Sequence, residues 1–435
     1  MQATGSGQAP STGSGQVERA LVVYHNKYAE AQGWIRTSAA YAIKTGQDGE
    51  TVLAQKSLGQ GLGLHNDGDY FTIFRDHVTG LEYIRSSKEL CEKGLYVELG
   101  AYKYQVFLDF CEVRDNEWRQ YAQLTAYLNG RGVPSIEEAL REVILRPVHY
   151  PFRELVNARL FRRLIDARES ASQRDSEAAR SREDLVGEVE QKTALVLREV
   201  MRIANCELRI TEEELRAAAV AREVRQKLEV ILHPKTRLRP EAQPEGFFGK
   251  NLVSHLRDDP VAWPTLLGWL FTHALAQVVD EADFAQISRS WIDEWLLGKI
   301  VAGALGDLGL DEGAAWQAVA TIKILTSHQR WFEMQAPKKK RAYQVLESWL
   351  RDDEVQRFLQ VNRHRGILWF NKEAFDQLLW WMLLPAVVTI SADPLRPPAE
   401  VAQEIVEVYD VVKKLQQAEE ESGYQVERLL EAVKK

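Results

Sequence analysis

The chain has 435 residues, of which 45% are hydrophobic and 27% are charged, and its formal net charge at pH 7 is −8. This length is enough for two or three domains with hydrophobic cores, and the composition is that of a soluble protein. A nucleic-acid partner would require a clustered basic face, which an acidic chain of this kind does not favour. We therefore expect no nucleic-acid partner.

The N-terminal residues 1–16, MQATGSGQAPSTGSGQ, have neither the basic nor the apolar region of a signal peptide, and they predict a flexible linker. We expect a chain that begins with a linker to be part of a longer protein. The cysteines Cys91, Cys111 and Cys206 fit no zinc-binding spacing. They indicate reduced thiols, and the sequence therefore predicts a cytoplasmic protein.

The most apolar run is LLWWMLLPAVVTI, residues 378–390. It is shorter than the about 20 residues that a membrane-spanning helix needs. We expect a buried helix that ends near Pro385, and no membrane partner.

Residues 17–115 predict an antiparallel β domain, because short runs rich in Val, Ile, Tyr and Phe alternate with turn residues. The hairpin-like spacing favours a sandwich-like arrangement. The candidate strands are residues 20–25, 34–43, 51–55, 70–76, 81–85, 95–99 and 104–110.

The pattern changes to helix from residue 116 onward. Apolar residues recur at helical spacing before Asn129-Gly130, and Ser135 with Glu138 forms a capping-box pattern. The predicted fold class is therefore α+β: an N-terminal antiparallel β-sandwich-like domain followed by a large all-α region with a helical hairpin and a helical bundle. The predicted boundaries are long helices at 116–232, a Pro-rich linker at 233–249, a Trp-rich bundle at 250–390 and C-terminal helices at 391–435. Within the first of these segments, residues 153–232 are expected to form long, exposed helices.

No strand–helix alternation follows residue 115, which excludes a (β/α)₈ barrel or a doubly wound sheet within this chain.

The stretch FRDHVTGLEYIR, residues 74–85, invites a catalytic interpretation because it holds Asp76, His77 and Glu82. Adjacent residues of a strand point to opposite faces, which separates Asp76 from His77, and no nucleophile context lies nearby. The stretch is better explained as a β-hairpin that turns at residues 78–80.

Three further patterns also have simpler structural explanations. Gly59, Gly61 and Gly63 precede a strand rather than a helix, so we expect a flexible loop and not a phosphate site. The oxygen-rich Asn66, Asp67 and Asp69 are typical of an ordinary turn, and the basic cluster at 338–341 is typical of a solvated helix start. We predict no metal, no cofactor and no catalytic residue.

Aromatic residues suggest the best candidate contacts. The tryptophans of the bundle recur at helical spacing and predict core packing. In the β region, tyrosines and a tryptophan combine flat apolar faces with polar tips, as sugar rings require. The predicted carbohydrate contacts are Tyr24, Tyr28, Trp34, Tyr41 and Tyr70.

Three segments, ALVVYHNKYAEAQGWIRTSAAYAIKTG, FRDHVTGLEYIR and YVELGAYKYQVFLDF, carry a family resemblance over about residues 18–140. They resemble the region that follows the catalytic barrel in α-amylase-like proteins of glycoside hydrolase family 13. The resemblance implies a small antiparallel β domain. It assigns no catalytic residue here, because the family's nucleophilic Asp, general-acid Glu and second Asp all lie on the barrel.

Two functional hypotheses follow. In the first, the chain is a non-catalytic accessory part of an α-amylase-like glycosidase, and its partners are a catalytic barrel domain of the same parent protein or an α-glucan. In the second, the chain is an interaction scaffold whose charged helices 153–232 form a coiled-coil-type contact with a helical protein partner.

Overall fold

The computed structural model describes residues 2–4, 19–45, 50–169, 176–204, 210–232 and 261–434. The protein is a mixed α+β structure, 62% helical, with N-terminal antiparallel sheets and a large helical C-terminal region. It divides into two compact units, Met1–Arg146, here the β unit, and Pro147–Lys435, here the helical unit. The predicted α+β class is confirmed. The predicted linker at 233–249 lies outside the described residues.

In the part of the β unit that the structure describes, short strands are combined with three short helices and the first half of a fourth. Its elements are β1 (Gln2–Thr4), β2 (Leu21–Tyr24), β3 (Ala31–Ile35), β4 (Tyr41–Thr45), β5 (Glu50–Ala54), α1 (Leu58–Leu62), β6 (Tyr70–Asp76), β7 (Glu82–Ser86), α2 (Ser87–Glu92), β8 (Leu95–Leu99), β9 (Tyr104–Arg114), α3 (Gln120–Leu128) and α4 (Ile136–Leu155).

The main sheet is antiparallel, with strand order β1-β2-β9-β6-β7, and β3–β8 and β4–β5 form separate two-stranded ribbons. Adjacent residues of β7 point to opposite faces, and each face has its own apolar cluster. Tyr83 packs with the cluster that holds Phe74 of the main sheet and the inner face of the β3–β8 ribbon, which includes Val97. Ile84 packs with α3 and the start of α4, so these helices belong to the β unit.

Two local predictions in the β unit were wrong. The expected single strand at 34–43 is two strands, because residues 36–38 turn to pair with residues 56–58 through backbone hydrogen bonds such as Ser38 N–H to Lys56 O (2.9 Å). The expected loop at Gly59–Gly63 is the helix α1, whose Ser57 and Gln60 form a capping box.

One strand falls inside the predicted linker at residues 1–16. Strand β1 pairs with β2 in the register Gln2↔Tyr24, and residues 5–18 lie outside the described part of the chain.

The described residues of the helical unit form long helices, two short 3-10 helices and one small β-hairpin. After α4, its elements are α5 (Ala158–Glu169), α6 (Ser176–Ile203), α7 (Ile210–Leu232), α8 (Ala262–Thr272), α9 (Phe284–Glu294), α10 (Leu297–Asp307), α11 (Glu312–Ser327), α12 (Lys338–Leu350), α13 (Asp353–Phe358), β10 (Asn362–His364), β11 (Ile367–Trp369), α14 (Lys372–Ala392), α15 (Pro398–Ser422) and α16 (Val426–Lys434).

Helices α6 and α7 form the predicted antiparallel hairpin. Arg225, late in α7, pairs with Glu183 and Glu190, early in α6. The expectation that these helices are mainly exposed was wrong, because residues such as Val196 and Leu228 are fully buried in the core of the helical unit. The seam that a coiled-coil partner would use is therefore packed within the unit.

Helix α14 runs through Pro385 to Ala392, so the prediction that it ends near this proline was wrong. An internal proline costs about 3 kcal/mol in a helix. Burial of the helix from Leu378 to Val388 outweighs this cost, and the Trp331 indole donates to the Met382 carbonyl in the same stretch (3.0 Å). By length and composition α14 could cross a membrane, but 83% of its apolar window is buried within the protein.

Most tryptophans of the helical unit are core residues, as predicted. Trp269 and Trp349 are fully buried, whereas Trp316 is exposed on α11.

Candidate functional site

The β3–β8 ribbon presents an aromatic pair on its outer face. Burial alternates along both strands, so Ile35, Leu95, Val97 and Leu99 point inward. Trp34 and Tyr96 are direct cross-strand partners, and their ring centroids lie 5.5 Å apart in an edge-on arrangement. Trp34 is 43% exposed and Tyr96 is 42% exposed, which leaves large parts of both side chains open to solvent.

Polar side chains lie beside this aromatic pair on the same face. Gln32 and Glu98 are the next outward residues of β3 and β8, they are exposed, and they are cross-strand partners. We call Gln32, Trp34, Tyr96 and Glu98 the ribbon patch. The pKa of the Tyr96 hydroxyl is raised, mainly by partial desolvation and in second place by a hydrogen bond with Glu98.

A second aromatic pair lies at the end of the same ribbon. Tyr28 precedes β3, Tyr102 follows β8, and their ring centroids are 6.3 Å apart. Tyr28 is 88% exposed. The His25 ring hydrogen-bonds the Ala29 carbonyl (2.8 Å) and so closes the loop that carries Tyr28. Three strand residues, about 10 Å, separate Trp34 from the start of β3, so the ribbon offers two aromatic contacts along its length.

The other predicted contact residues are distributed elsewhere in the β unit. Tyr24 is half-buried and lies opposite Tyr104 in the β2–β9 pairing. Tyr41 is exposed at the start of β4, on the separate β4–β5 ribbon. Tyr70 is half-buried under the His65 ring, which stacks on it at 4.4 Å. Of the five predicted residues, Tyr28 and Trp34 belong to the ribbon, and Tyr24, Tyr41 and Tyr70 do not.

The contact between His65 and Glu112 resembles part of a catalytic site. Nδ1 of His65 lies 2.5 Å from Oε2 of Glu112, and the His65 backbone N–H donates to Oε1 of Glu112 (2.9 Å). Burial alone would raise the pKa of Glu112, but hydrogen bonds from His65 and Ser87 bring it below the ordinary value. A histidine oriented by a carboxylate resembles the base of a catalytic triad.

This pair has no suitable nucleophile among the described residues around it. Ser87 is fully buried, and its hydroxyl oxygen lies 2.8 Å from the Thr72 hydroxyl oxygen, within a hydrogen bond. Burial and the neighbouring Glu112 raise the pKa of the Cys91 thiol, which disfavours the reactive thiolate. The His65–Glu112 contact therefore fixes the segment after α1 against Tyr70 and β9.

The segment that holds Asp76 is a hairpin, as predicted. Val78 N–H donates to Oδ1 of buried Asp76 (3.0 Å), and the Thr79 hydroxyl donates to Oδ2 (3.0 Å). Gly80 takes the left-handed conformation at φ +71°. Glu82 accepts the Ile136 N–H (2.7 Å) at the start of α4. Asp76 and Glu82 are thus engaged with backbone and turn groups.

Within the described part of the chain, no group of three or more His, Cys, Asp or Glu side chains could hold a metal ion.

Sequence reasoning missed three members of the site, Gln32, Tyr96 and Glu98. The signal for two of them was present, because LYVEL alternates apolar with polar or aromatic residues, which is typical of a strand with one solvent face. The pairing of β8 with β3 across 60 residues of chain had no local signal.

No protein-family model, no curated protein and no solved structure matches this chain.

Proposed function

We propose that the chain is a non-catalytic, accessory part of an α-amylase-like carbohydrate-active protein, and that its β3–β8 ribbon contacts α-glucan. The observation that carries the proposal is the outward Trp34–Tyr96 pair with Gln32 and Glu98 beside it. Aromatic faces cover the apolar C–H patches of a sugar ring, and adjacent amide and carboxylate groups accept or donate hydrogen bonds to its hydroxyls.

The position of the ribbon supports this role. Its inner face packs with the cluster of the main sheet, which holds the strands in one register and leaves the outer face as a rigid display surface. A sandwich-like packing of the ribbon on the main sheet, of the kind expected after a glycosidase barrel, is part of the proposal. A barrel domain of the parent protein would supply the catalytic carboxylates.

A cytoplasmic location is also part of the proposal. Cys91 and Cys111 are free thiols, as a reducing compartment would leave them, and Cys206 lies outside the described residues. The scaffold hypothesis stays a prediction, but burial of the inner faces of α6 and α7 removes the apolar seam on which it relied.

Affinity electrophoresis of the full chain tests the sugar contact. We expect soluble starch or glycogen in the gel to retard the wild-type protein clearly more than the double variant Trp34→Ala/Tyr96→Ala. Removal of both rings takes away the apolar face on which a sugar ring would lie, so the retardation should be visibly weaker than that of the wild type.

Tyr127→Ala is the matched control, because Tyr127 is an exposed tyrosine of the same unit on α3. It should be retarded like the wild type. Absence of retardation of the wild-type protein by either glucan, or equal retardation of the double variant, would contradict the proposal.

The coding sequence next to this chain tests the accessory role separately. We expect an adjoining segment that encodes alternating strands and helices of a (β/α)₈ barrel with acidic residues at strand ends. If the adjoining coding sequence encoded no such segment, the proposed accessory role in a glycosidase would be contradicted, whatever the result of the affinity electrophoresis.

A further inference from the structure

The helical unit contains a cleft of about 590 Å³. This volume lies within the range of about 300–1,000 Å³ that is typical of small-molecule sites. Its walls come from α8, α11, α13, α14 and α15, and all of its described lining residues belong to the helical unit. The site is therefore independent of the ribbon patch.

Two helices contribute rows of lining residues at helical spacing, and a third contributes one residue. Helix α11 provides Ala314, Gln317, Ala318 and Thr321. Helix α14 provides Asp376 and Gln377, followed one turn later by Trp380 and Trp381, and α15 provides Gln416. Because residues three and four apart share one helix face, the cleft is built by regular structure rather than by loops.

The depth of these residues gives the cleft a floor and a rim. Trp380, Trp381, Thr265, Ala318 and Thr321 are buried and form the deep part. The rings of Trp380 and Trp381 lie at a steep angle, with centroids 4.6 Å apart. The side chains of Gln317, Asp376, Gln377 and Gln416 are exposed or half-buried at the opening.

The chemistry of the lining excludes some ligand classes. Among the described residues, neither lysine, arginine nor histidine lines the cleft, and Asp376 adds negative charge, so these residues offer no counter-charge to an anionic ligand. Lys372 lies 3.6 Å from Asp376 and partly neutralises it, which weakens the attraction for an organic cation. Amides dominate the remaining polar groups, and each amide can both donate and accept hydrogen bonds.

We infer that this cleft binds a short, uncharged saccharide, stacked on the tryptophan floor and hydrogen-bonded by the glutamine rim. A sugar offers a flat C–H face for an indole ring and many hydroxyls that match neutral amides. A quaternary ammonium would contact the tryptophans but has no hydrogen-bonding group for the amides, which would contribute nothing to its binding.

Titration of intrinsic tryptophan fluorescence with maltotriose tests the inference. The protein used is the full chain carrying Trp34→Ala/Tyr96→Ala. Because this background lacks the aromatic pair of the ribbon patch, saccharide binding at the cleft is measured separately from binding at the ribbon patch. We expect a saturable change with maltotriose, and about a tenfold weaker affinity after Gln377→Ala/Gln416→Ala is added, because two hydrogen bonds at the rim are removed.

Gln417→Ala is the matched control, because Gln417 is the exposed neighbour of Gln416 on α15 and does not line the cleft. It should bind maltotriose as tightly as the background protein. The inference is overturned if maltotriose, maltose and cellobiose all give no saturable change, if choline saturates the signal instead, or if Gln417→Ala loses as much affinity as the rim variant.

Discussion

Gly59 lies where helix α1 meets Cys91 of helix α2. A methyl group at this position would lie 2.5 Å from the Cys91 Sγ, whereas a methyl group at Gly61 of the same helix meets nothing within 4 Å. We expect Gly59→Ala to lower the free energy of unfolding by about 1–3 kcal/mol through overpacking. Gly61→Ala should be neutral or raise it by up to about 1 kcal/mol.

Urea denaturation of the full chain measures both effects. Cys91→Ala in the Gly59→Ala background should recover part of the loss, because it removes the sulfur atom that clashes. Equal stability of the two single variants would show that α1 does not pack on Cys91 as described.

At the residue scale, the sequence predicted what local chemistry determines. Asn129 is the left-handed C-cap of α3, as expected from the Asn129-Gly130 pair. Asn371 is the N-cap of α14 and accepts the Ala374 N–H (2.9 Å), which is the chemistry that favours asparagine at this position. The His65–Glu112 contact was not predictable, because its partners are 47 positions apart and no spacing rule joins them.

At the element scale, the β6–β7 hairpin depends on the Asp76 side chain. Its carboxylate accepts two hydrogen bonds from the turn, at Val78 and Thr79, and it is almost fully buried. We expect Asp76→Ala to lower the free energy of unfolding by about 1–3 kcal/mol, because it leaves these donors without partners. Chemical denaturation is the measurement.

His77→Ala provides the comparison for this hairpin. His77 is exposed in the turn, so its removal should change stability by less than about 0.5 kcal/mol. If His77→Ala lowered the free energy of unfolding as much as Asp76→Ala, the Asp76 carboxylate would not be the group that stabilises this turn.

Element boundaries show where sequence reasoning failed. The split of residues 34–43 into β3 and β4 depends on pairing with residues 56–58, and the length of α14 depends on burial around Pro385. Both are decided by tertiary contacts that outweigh local propensity. The α6–α7 hairpin was predictable because its helical periodicity is long and uninterrupted.

At the scale of the whole molecule, the core of the helical unit contains a titratable pair. The Lys227 ammonium donates to Nε2 of fully buried His273 (2.8 Å), while Nδ1 of His273 lies 2.9 Å from the Leu270 carbonyl. Burial lowers the pKa of Lys227 to about 8 and that of His273 well below its ordinary value. Nothing in the local sequence EVRQKLEV indicates this environment.

The lowered pKa of Lys227 has a defined consequence for stability. Between about pH 8 and about pH 10.4 the unfolded chain binds this proton more tightly than the folded chain, so stability should rise with pH in that window. We expect Lys227→Met to remove a rise of about 2 kcal/mol between pH 8 and pH 9.5. Urea denaturation at the two pH values measures it.

Lys413→Met is the control for this pH effect, because Lys413 is exposed on α15. It should keep the wild-type pH dependence. A wild-type protein whose stability is flat or falls between pH 8 and pH 9.5 would contradict the lowered pKa of Lys227.

The α+β class and the helix-rich C-terminal region were predictable from composition and periodicity over long segments. The ribbon patch was predictable only in part: Trp34 stood out as an aromatic residue in a strand, but its partners Tyr96 and Glu98 became neighbours through pairing of β3 with β8. Strand pairing over such a distance is a property of the folded chain and not of either segment alone.

The most direct test of the central claim is the affinity for maltoheptaose, measured by isothermal titration calorimetry with the full chain and with its Trp34→Ala/Tyr96→Ala variant. We predict that the wild-type protein binds at the ribbon in addition to the cleft of the helical unit, and that the variant loses at least about tenfold in affinity at the ribbon because two aromatic contacts are removed. Equal affinities of the two proteins, or no binding by the wild type, would contradict it.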